Sequence, residues 1–229
     1  VARGFPPAES FNSGHACVDC AGSKEEGDSL ADTLLQSFID AEDIFNDGLQ
    51  SPESAVADAM AYAGPKPVVI ADAQDNSGAG ASSDTTGLLN ALVRGNAQGA
   101  ALALLDDAEV AAKSHKMGMG AEFTASLGGK SGQDDQHSFE GRFCVEALSN
   151  GEFPFTGAMF NGFTASLGPM AVLRVLDTPA DVRIVIGSVR CQCLDQAIFK
   201  HIGIDPAEQR IVVVKSSVHF RADFEPIAG

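Results

Sequence analysis

The stretch from Pro67 to Leu92, PVVIADAQDNSGAGASSDTTGLLNAL, constrains this chain more than any other. It opens with the apolar, β-branched run Val68-Val69-Ile70, whose length and composition suit a strand buried on both faces. Asp72, Gln74, Asp75 and Asn76 follow, then the nearly side-chain-free Ser77–Ala81. Ser82 to Thr86 offers several helix N-caps, and Leu88, Leu89, Leu92 and Val93 recur at helical spacing. Strand, small-residue loop and capped helix, in that order, predict an open α/β sheet. Its loop would lie at the carboxyl end of the strand, where such sheets bind ligands, and the helix start would favour an anion.

A second segment of the same kind lies near the end of the chain. Ile211–Val214 reads as a buried strand and Lys215-Ser216-Ser217 follows it directly. Ser217 is placed to cap a helix carrying Val218, Phe220, Arg221 and Phe224. If the two strands are parallel neighbours, the Asp72–Thr86 and Lys215–Arg221 loops open on one crevice. Asp75 there could bind a metal, act as general base, hold an ammonium group or simply brace its own loop. Asp84 reads as a cap. His219 could donate to a developing oxyanion, shuttle a proton, or pack at a helix start. Lys215 and Arg221 could hold a substrate carboxylate, or pair with Asp72 or Asp75.

Between these segments, 99–105 reads as a further buried strand and 107–115 as a short helix, which predicts right-handed parallel crossovers. From 120 to 187 the pattern becomes alternating and glycine-rich, which predicts an antiparallel β subdomain inserted in the α/β unit. Gly128 to Gly132 would be a flexible loop within it. Leu194–His201 reads as a helix. The predicted fold class is therefore α/β: a mixed, mainly parallel sheet flanked by helices, with an inserted antiparallel β subdomain at about 120–187. Upstream, His15–Cys20 is a strand candidate, and apolar spacing predicts a helix from Asp28 to Asn46. Ser51-Pro52-Glu53 starts another helix running to about Ala63. The expected division is 1–64 as an N-terminal packing segment and 65–229 as the α/β domain.

The net charge of −16 argues against nucleic acid and anionic membranes as partners. No run approaches the roughly 18 apolar residues of a membrane-spanning helix, and no signal peptide is visible. An acidic cytoplasmic protein is the expectation, with homo-oligomerisation open. The first residue is Val1, which fits a fragment or a processed chain. Five cysteines, an odd number, do not suggest a disulfide scaffold. Cys17-x-x-Cys20 reads as buried thiols, half a zinc site or a redox pair. Cys191-x-Cys193 reads as two thiols on one strand face. The glycine loop lacks the Lys of a Walker loop and the third Gly of a dinucleotide fingerprint. It also fails the calcium-loop spacing, and there is no His-Glu-x-x-His.

DNSGAGASSDTT at 75–86, GGK at 128–130, LGPMAVLRV at 167–175 and KSSVHFRADFEPIA at 215–228 together resemble the C-terminal region of the microcystinase C (MlrC) family. The resemblance runs from GFPPAE at 4–9 to the end. It implies a zinc metallopeptidase or amidohydrolase acting on peptide-like amides, linearised microcystin being the named example. It further implies that the zinc ligands lie mainly in an N-terminal half outside this chain, with none assigned here. On that reading Asp75 and His219 are the catalytic candidates, and Asn76, Gly78, Gly80, Lys215 and Arg221 the substrate-binding ones. The alternative is a non-catalytic α/β module that binds a small anion or mediates assembly.

Overall fold

A computed structural model describes residues 21–41, 48–132 and 137–229. The expected strand at His15–Cys20, with Cys17 and Cys20, lies outside these residues. The chain divides into two compact units, 1–50 and 51–229. In the first, helix α1 spans Lys24–Asp40 and is capped by Ser23, whose side chain accepts from Glu26 N. It starts a turn earlier than the apolar spacing predicts, because Ser23 and the acidic pair Glu25-Glu26 form a favourable N-terminus. Phe45, counted in its apolar stripe, is outside the described residues.

The second unit begins with α2, Pro52–Ala61, capped by Ser51 with Pro at its first turn. Val56 and Ala59 of α2 are buried in the main apolar core. This helix therefore packs with the α/β unit, on the other side of the boundary expected near residue 64.

Among the described residues nine strands follow from residue 68 on. They are β1 (Val68–Ala71), β2 (Ala100–Asp106), β3 (Glu122–Leu127), β4 (Phe139–Ser149), β5 (Glu152–Pro154), β6 (Thr164–Ser166), β7 (Met170–Val175), β8 (Val182–Gly187) and β9 (Ile211–Val214). Seven form one sheet in the order β1-β9-β2-β8-β7-β4-β3. The β1, β9, β2 and β8 neighbours are parallel, while β8, β7, β4 and β3 pair antiparallel. The β-rich region predicted as an insertion thus extends the main sheet through β8; only β5 and β6 form a separate pair.

The apolar runs are explained by burial on both faces. Ile211 and Val213 of β9 join one core with α2, α3 (Gly87–Arg94) and α4 (Ala108–Met117). Val212 and Val214 join the other, with α5 (Ala197–Lys200), α6 (Arg221–Phe224) and the β5–β6 pair. Period-two side chains that all meet apolar neighbours leave no polar alternation in the sequence. The parallel strands end on one edge, at Ala71, Asp106, Gly187 and Val214. None of the described helices is long and apolar enough to cross a membrane.

Candidate functional site

Adjacent parallel strands β1 and β9 bring their following loops together. Lys215, the first residue after β9, is completely buried. Its Nζ donates to Asp72 Oδ2 at 2.8 Å, Asp75 Oδ2 at 2.6 Å, Thr85 O at 2.8 Å and Thr85 Oγ1 at 3.0 Å. Asp75 also accepts from Ser83 N at 2.6 Å, Thr85 N at 2.9 Å and Thr85 Oγ1 at 2.8 Å. One cation and one carboxylate therefore tie the loop after β1, the approach to α3 and the end of β9 into one body. Burial by itself would raise the Asp75 carboxyl. The Lys215 charge and the Lys215 and Thr85 hydrogen bonds outweigh it and hold the pKa below the usual carboxylate value. Lys215 is the mirror case: burial would lower its pKa, and Asp72 and Asp75 hold it raised.

Outside this lock sits a second polar layer. Asn76 Nδ2 donates to Ser217 Oγ at 2.6 Å, and Asn76 Oδ1 accepts from Gly78 N at 3.0 Å. Gly80 closes the single 3-10 turn at Ser77–Ala79 with φ +96°, a conformation that suits glycine. A Cβ on Gly78 would lie 2.2 Å from Gln192 Oε1, so glycine lets Gln192 approach. Gln192 Nε2 donates to Ser216 Oγ at 2.8 Å, and the same amide lies 3.1 Å from His219 Nδ1. His219 itself is exposed. The Asn76–Ser217 pair crosses from the loop after β1 to the loop after β9, while His219 is tied to Gln192 in the segment after β8.

Several local expectations are corrected. Ser217 does not cap a helix: its hydroxyl is taken by Asn76, and α6 starts only at Arg221, with Phe220 as N-cap and no side-chain cap bond. Arg221 does not reach Asp72 or Asp75; its guanidinium is exposed and pairs with Glu225 one turn on. Asp84 does not cap α3. Its Oδ2 accepts from Lys130 N at 2.7 Å and Ser131 N at 2.8 Å, which binds the Gly128–Gly132 loop to the site. That loop is held rather than free: Gly128 N donates to Asp107 Oδ2, and Gly129 N to Asp84 O.

Two elements escaped sequence reasoning. Asp195 is fully buried and accepts from Thr156 N, Gly157 N and Ala197 N, joining the β5–β6 connection to the start of α5. A cleft of about 320 Å³ opens at the ends of β2 and β8, lined by Ser82, Asp84, Asp106, Asp107, Lys130 and Arg190 among others. Burial raises the Asp106 carboxyl; Arg190 opposes this, and Asp84, Asp107 and Asp75 add to it. The only local signal was a charged residue terminating an apolar run, Leu105-Asp106.

Zinc does not fit the residues described here. No three His, Cys, Asp or Glu side chains among them come together as a metal ion requires. The thiols of Cys191 and Cys193 have no third ligating side chain beside them among the described residues. Burial pushes Cys191 up to about 11 and Cys193 well above its ordinary value. They also lie outside any strand, against the expectation of a strand face.

Comparison with known proteins bears on the whole unit. The family described as "MlrC C-terminus" matches residues 70–229. Microcystinase C of Sphingomonas sp. is 27% identical over 158 residues, 69% of this chain and 30% of that protein. The crystal structure of a candidate metallopeptidase from Mesorhizobium sp. BNC1 superposes with a TM-score of 0.76 at 20% identity, covering 89% of this chain and 40% of the other. The chain spans about a third of the length of the curated relative it matches, and the structural match supports the α/β fold.

Proposed function

The chain belongs to the MlrC C-terminus family, and from that premise we propose that it is the C-terminal part of a metallopeptidase or amidohydrolase of the microcystinase C type. In this reading the chain supplies substrate orientation and charge stabilisation for amide-bond hydrolysis. Zinc, with the ligands that hold it, belongs to the N-terminal half of the same protein. The substrate is a small peptide-like amide.

The observation that carries the reading is the lock between the loops after β1 and β9. Asp75 and Lys215 fix the two loops against each other, so the atoms presented outward are preorganised. The Gly78–Gly80 backbone is exposed and lies beside Asn76 and Gln192. His219, with Nδ1 held by Gln192, turns its other ring nitrogen free of any described partner. It is the group here suited to donate to a developing oxyanion or to carry a proton. Arg221, exposed near the end of this loop, attracts a substrate carboxylate at longer range.

The test uses the full-length polypeptide containing this chain. It should cleave a peptide amide in a metal-dependent manner. His219→Ala should lower kcat by about a hundredfold with the fold and metal content intact. No amide cleavage by the metal-loaded full-length protein, or an unchanged kcat in that variant, would refute the reading. The alternative of a non-catalytic binding or assembly module is favoured by one fact: the Asp72–Asp75–Lys215 cluster is closed on itself and offers rigidity without a free reactive group.

A further inference from the structure

Gln192, in the segment after β8, is 7% exposed although its side chain is polar. Its backbone is fixed: Cys193 N donates to Lys215 O at 3.2 Å, and Leu194 N to Gln192 O at 2.9 Å. Its side-chain amide reaches Ser216 and His219, both in the loop after β9. A primary amide brings two hydrogens and one carbonyl oxygen, and each buried hydrogen without an acceptor carries a desolvation cost.

Both hydrogens can be accounted for. Two acceptors lie within reach of Gln192 Nε2 among the described residues: Ser216 Oγ at 2.8 Å and His219 Nδ1 at 3.1 Å. The second hydrogen is used only if Nδ1 carries a lone pair. A protonated Nδ1 would instead donate to Gln192 Oε1 across 3.3 Å, the longer of the two contacts, and strand that hydrogen. The oxygen end of the amide is marked by Gly78. A Cβ there would lie 2.2 Å from Gln192 Oε1, so a Cα hydrogen of the glycine points along that line. Such a hydrogen can meet a carbonyl oxygen weakly but gives an NH₂ group nothing to donate to. Amide orientation and ring tautomer therefore follow from one count of hydrogens.

A neutral imidazole whose Nδ1 is an acceptor carries its hydrogen on Nε2. In His219 that nitrogen meets no described partner, and the side chain is exposed. The neutral ring thus offers a hydrogen outward, not a lone pair. We propose that Gln192 is a positioning residue that holds His219 in the Nε2–H tautomer, making the ring a donor to the carbonyl-derived oxyanion rather than the general base. This rests on the hydrolytic reading of the site and narrows the two roles of His219 to one. When water adds to the amide carbon, the C=O π pair moves onto the oxygen, which accepts from His219 Nε2–H. The proton lost by the water goes to a base in the N-terminal half.

The experiment reads the tautomer directly, by ¹⁵N-resolved NMR of the chain on the alkaline plateau of the His219 titration, with His219→Ala assigning the signals. The parent should show the Nε2–H form. Gln192→Ala should reduce the tautomer ratio about 2–10-fold, the worth of one hydrogen bond. Gln192→Glu presents only acceptor oxygens and should invert the ratio to Nδ1–H. Gly78→Ala should act like Gln192→Ala, because its Cβ displaces the flexible end of Gln192 without touching His219. In the full-length protein Gln192→Glu should lower kcat by about a hundredfold, the loss of one oxyanion donor. An Nδ1–H ring in the parent, or an even mixture, would overturn the proposal whether or not any variant folds. So would a ratio unmoved in both alanine variants. An Nε2–H ring that responds to Gln192, in a full-length protein that cleaves no amide, would instead refute the hydrolytic reading and leave the tautomer assignment standing.

Discussion

Replacing Lys215 with methionine isolates the lock at the centre of the fold. Methionine conserves most of the buried volume, so the loss is electrostatic. Three hydrogens on Nζ are shared among four acceptors, and all four lose them together. Asp75 is left 1% exposed with four neutral donors, Ser83 N, Thr85 N, Thr85 Oγ1 and, at 3.4 Å, Ser82 Oγ, and no direct ion-pair partner. Breaking a buried ion pair from one side costs about 3–5 kcal/mol, and the surviving donors favour the lower half of that range. The pH dependence makes the test specific. In the parent, Asp75 is lowered, so its contribution is present above the unfolded value of 3.8 and is lost as pH falls through the folded one. Lys215 is raised, so its contribution is full below the unfolded value of 10.5 and is lost only as pH rises beyond that. In the variant, burial acts on Asp75 without Lys215 to oppose it, and the carboxyl moves up. The variant therefore gains stability as pH falls toward the unfolded value, where the parent does not. Urea unfolding followed by circular dichroism at about pH 5 and about pH 7 should show the gap between the two narrowing in acid, by about 1.4 kcal/mol for each unit the variant's carboxyl stands above pH 5. A cost below about 1 kcal/mol, or a gap independent of pH, would refute the assignment of this pair as a buried, mutually dependent lock.

Three other substitutions probe the surrounding frame. Gly128→Ala places a Cβ 2.4 Å from Asp84 O at φ +62°, so it should cost about 1–3 kcal/mol by urea unfolding and raise hydrogen exchange in the 128–132 loop. Asp195→Ala leaves the amides of Thr156, Gly157 and Ala197 without their acceptor, and should lower stability by about 3 kcal/mol, with increased proteolysis between β5 and β6. Leu104→Ala, at a fully buried position in β2, should cost about 2–5 kcal/mol by the same unfolding measurement.

The parallel half of the sheet was legible because β2, β8 and β9 are buried on both faces and β1, at the edge, is partly so. Val68–Ile70 and Ile211–Val214 are short apolar runs for the same reason, and each is followed at once by polar residues that can only be loop. That pattern leads directly to Asp75, Asn76 and Lys215. Local capping rules failed where a longer-range partner claimed the same side chain. Ser217 serves Asn76, Asp84 serves the Lys130 loop, and Thr86 Oγ1 donates to His137 O without capping α3. The predicted helix over Leu194–His201 shrinks to Ala197–Lys200, its first turn given over to Asp195 and to the bond from Gln196 N to Asp223. Helical spacing reports an apolar stripe, not whether its first polar residue is needed elsewhere.

The cleft shows a deeper reason why part of the site stayed hidden. Asp106 and Arg190 sit at the ends of β2 and β8, which become neighbours only because the chain between them crosses to the far edge of the sheet and returns through β4 and β7. Asp84 joins them from the loop after β1, and Lys130 from the turn after β3. Each of the four is a charged residue at the margin of an element, and nothing in its own neighbourhood shows that it meets the other three. The parallel strands β1, β9, β2 and β8 deliver their carboxyl ends to one edge, so loops remote in sequence share a surface there whatever their local propensities. The antiparallel strands contribute too, since Gly128, Lys130 and Ser131, just after β3, are bound by Asp107 and Asp84. A chain assembled this way fixes its polar loops by charge and hydrogen bonding across strands. His219, exposed and with its second ring nitrogen meeting no described partner, is therefore the group with capacity to spare for a ligand.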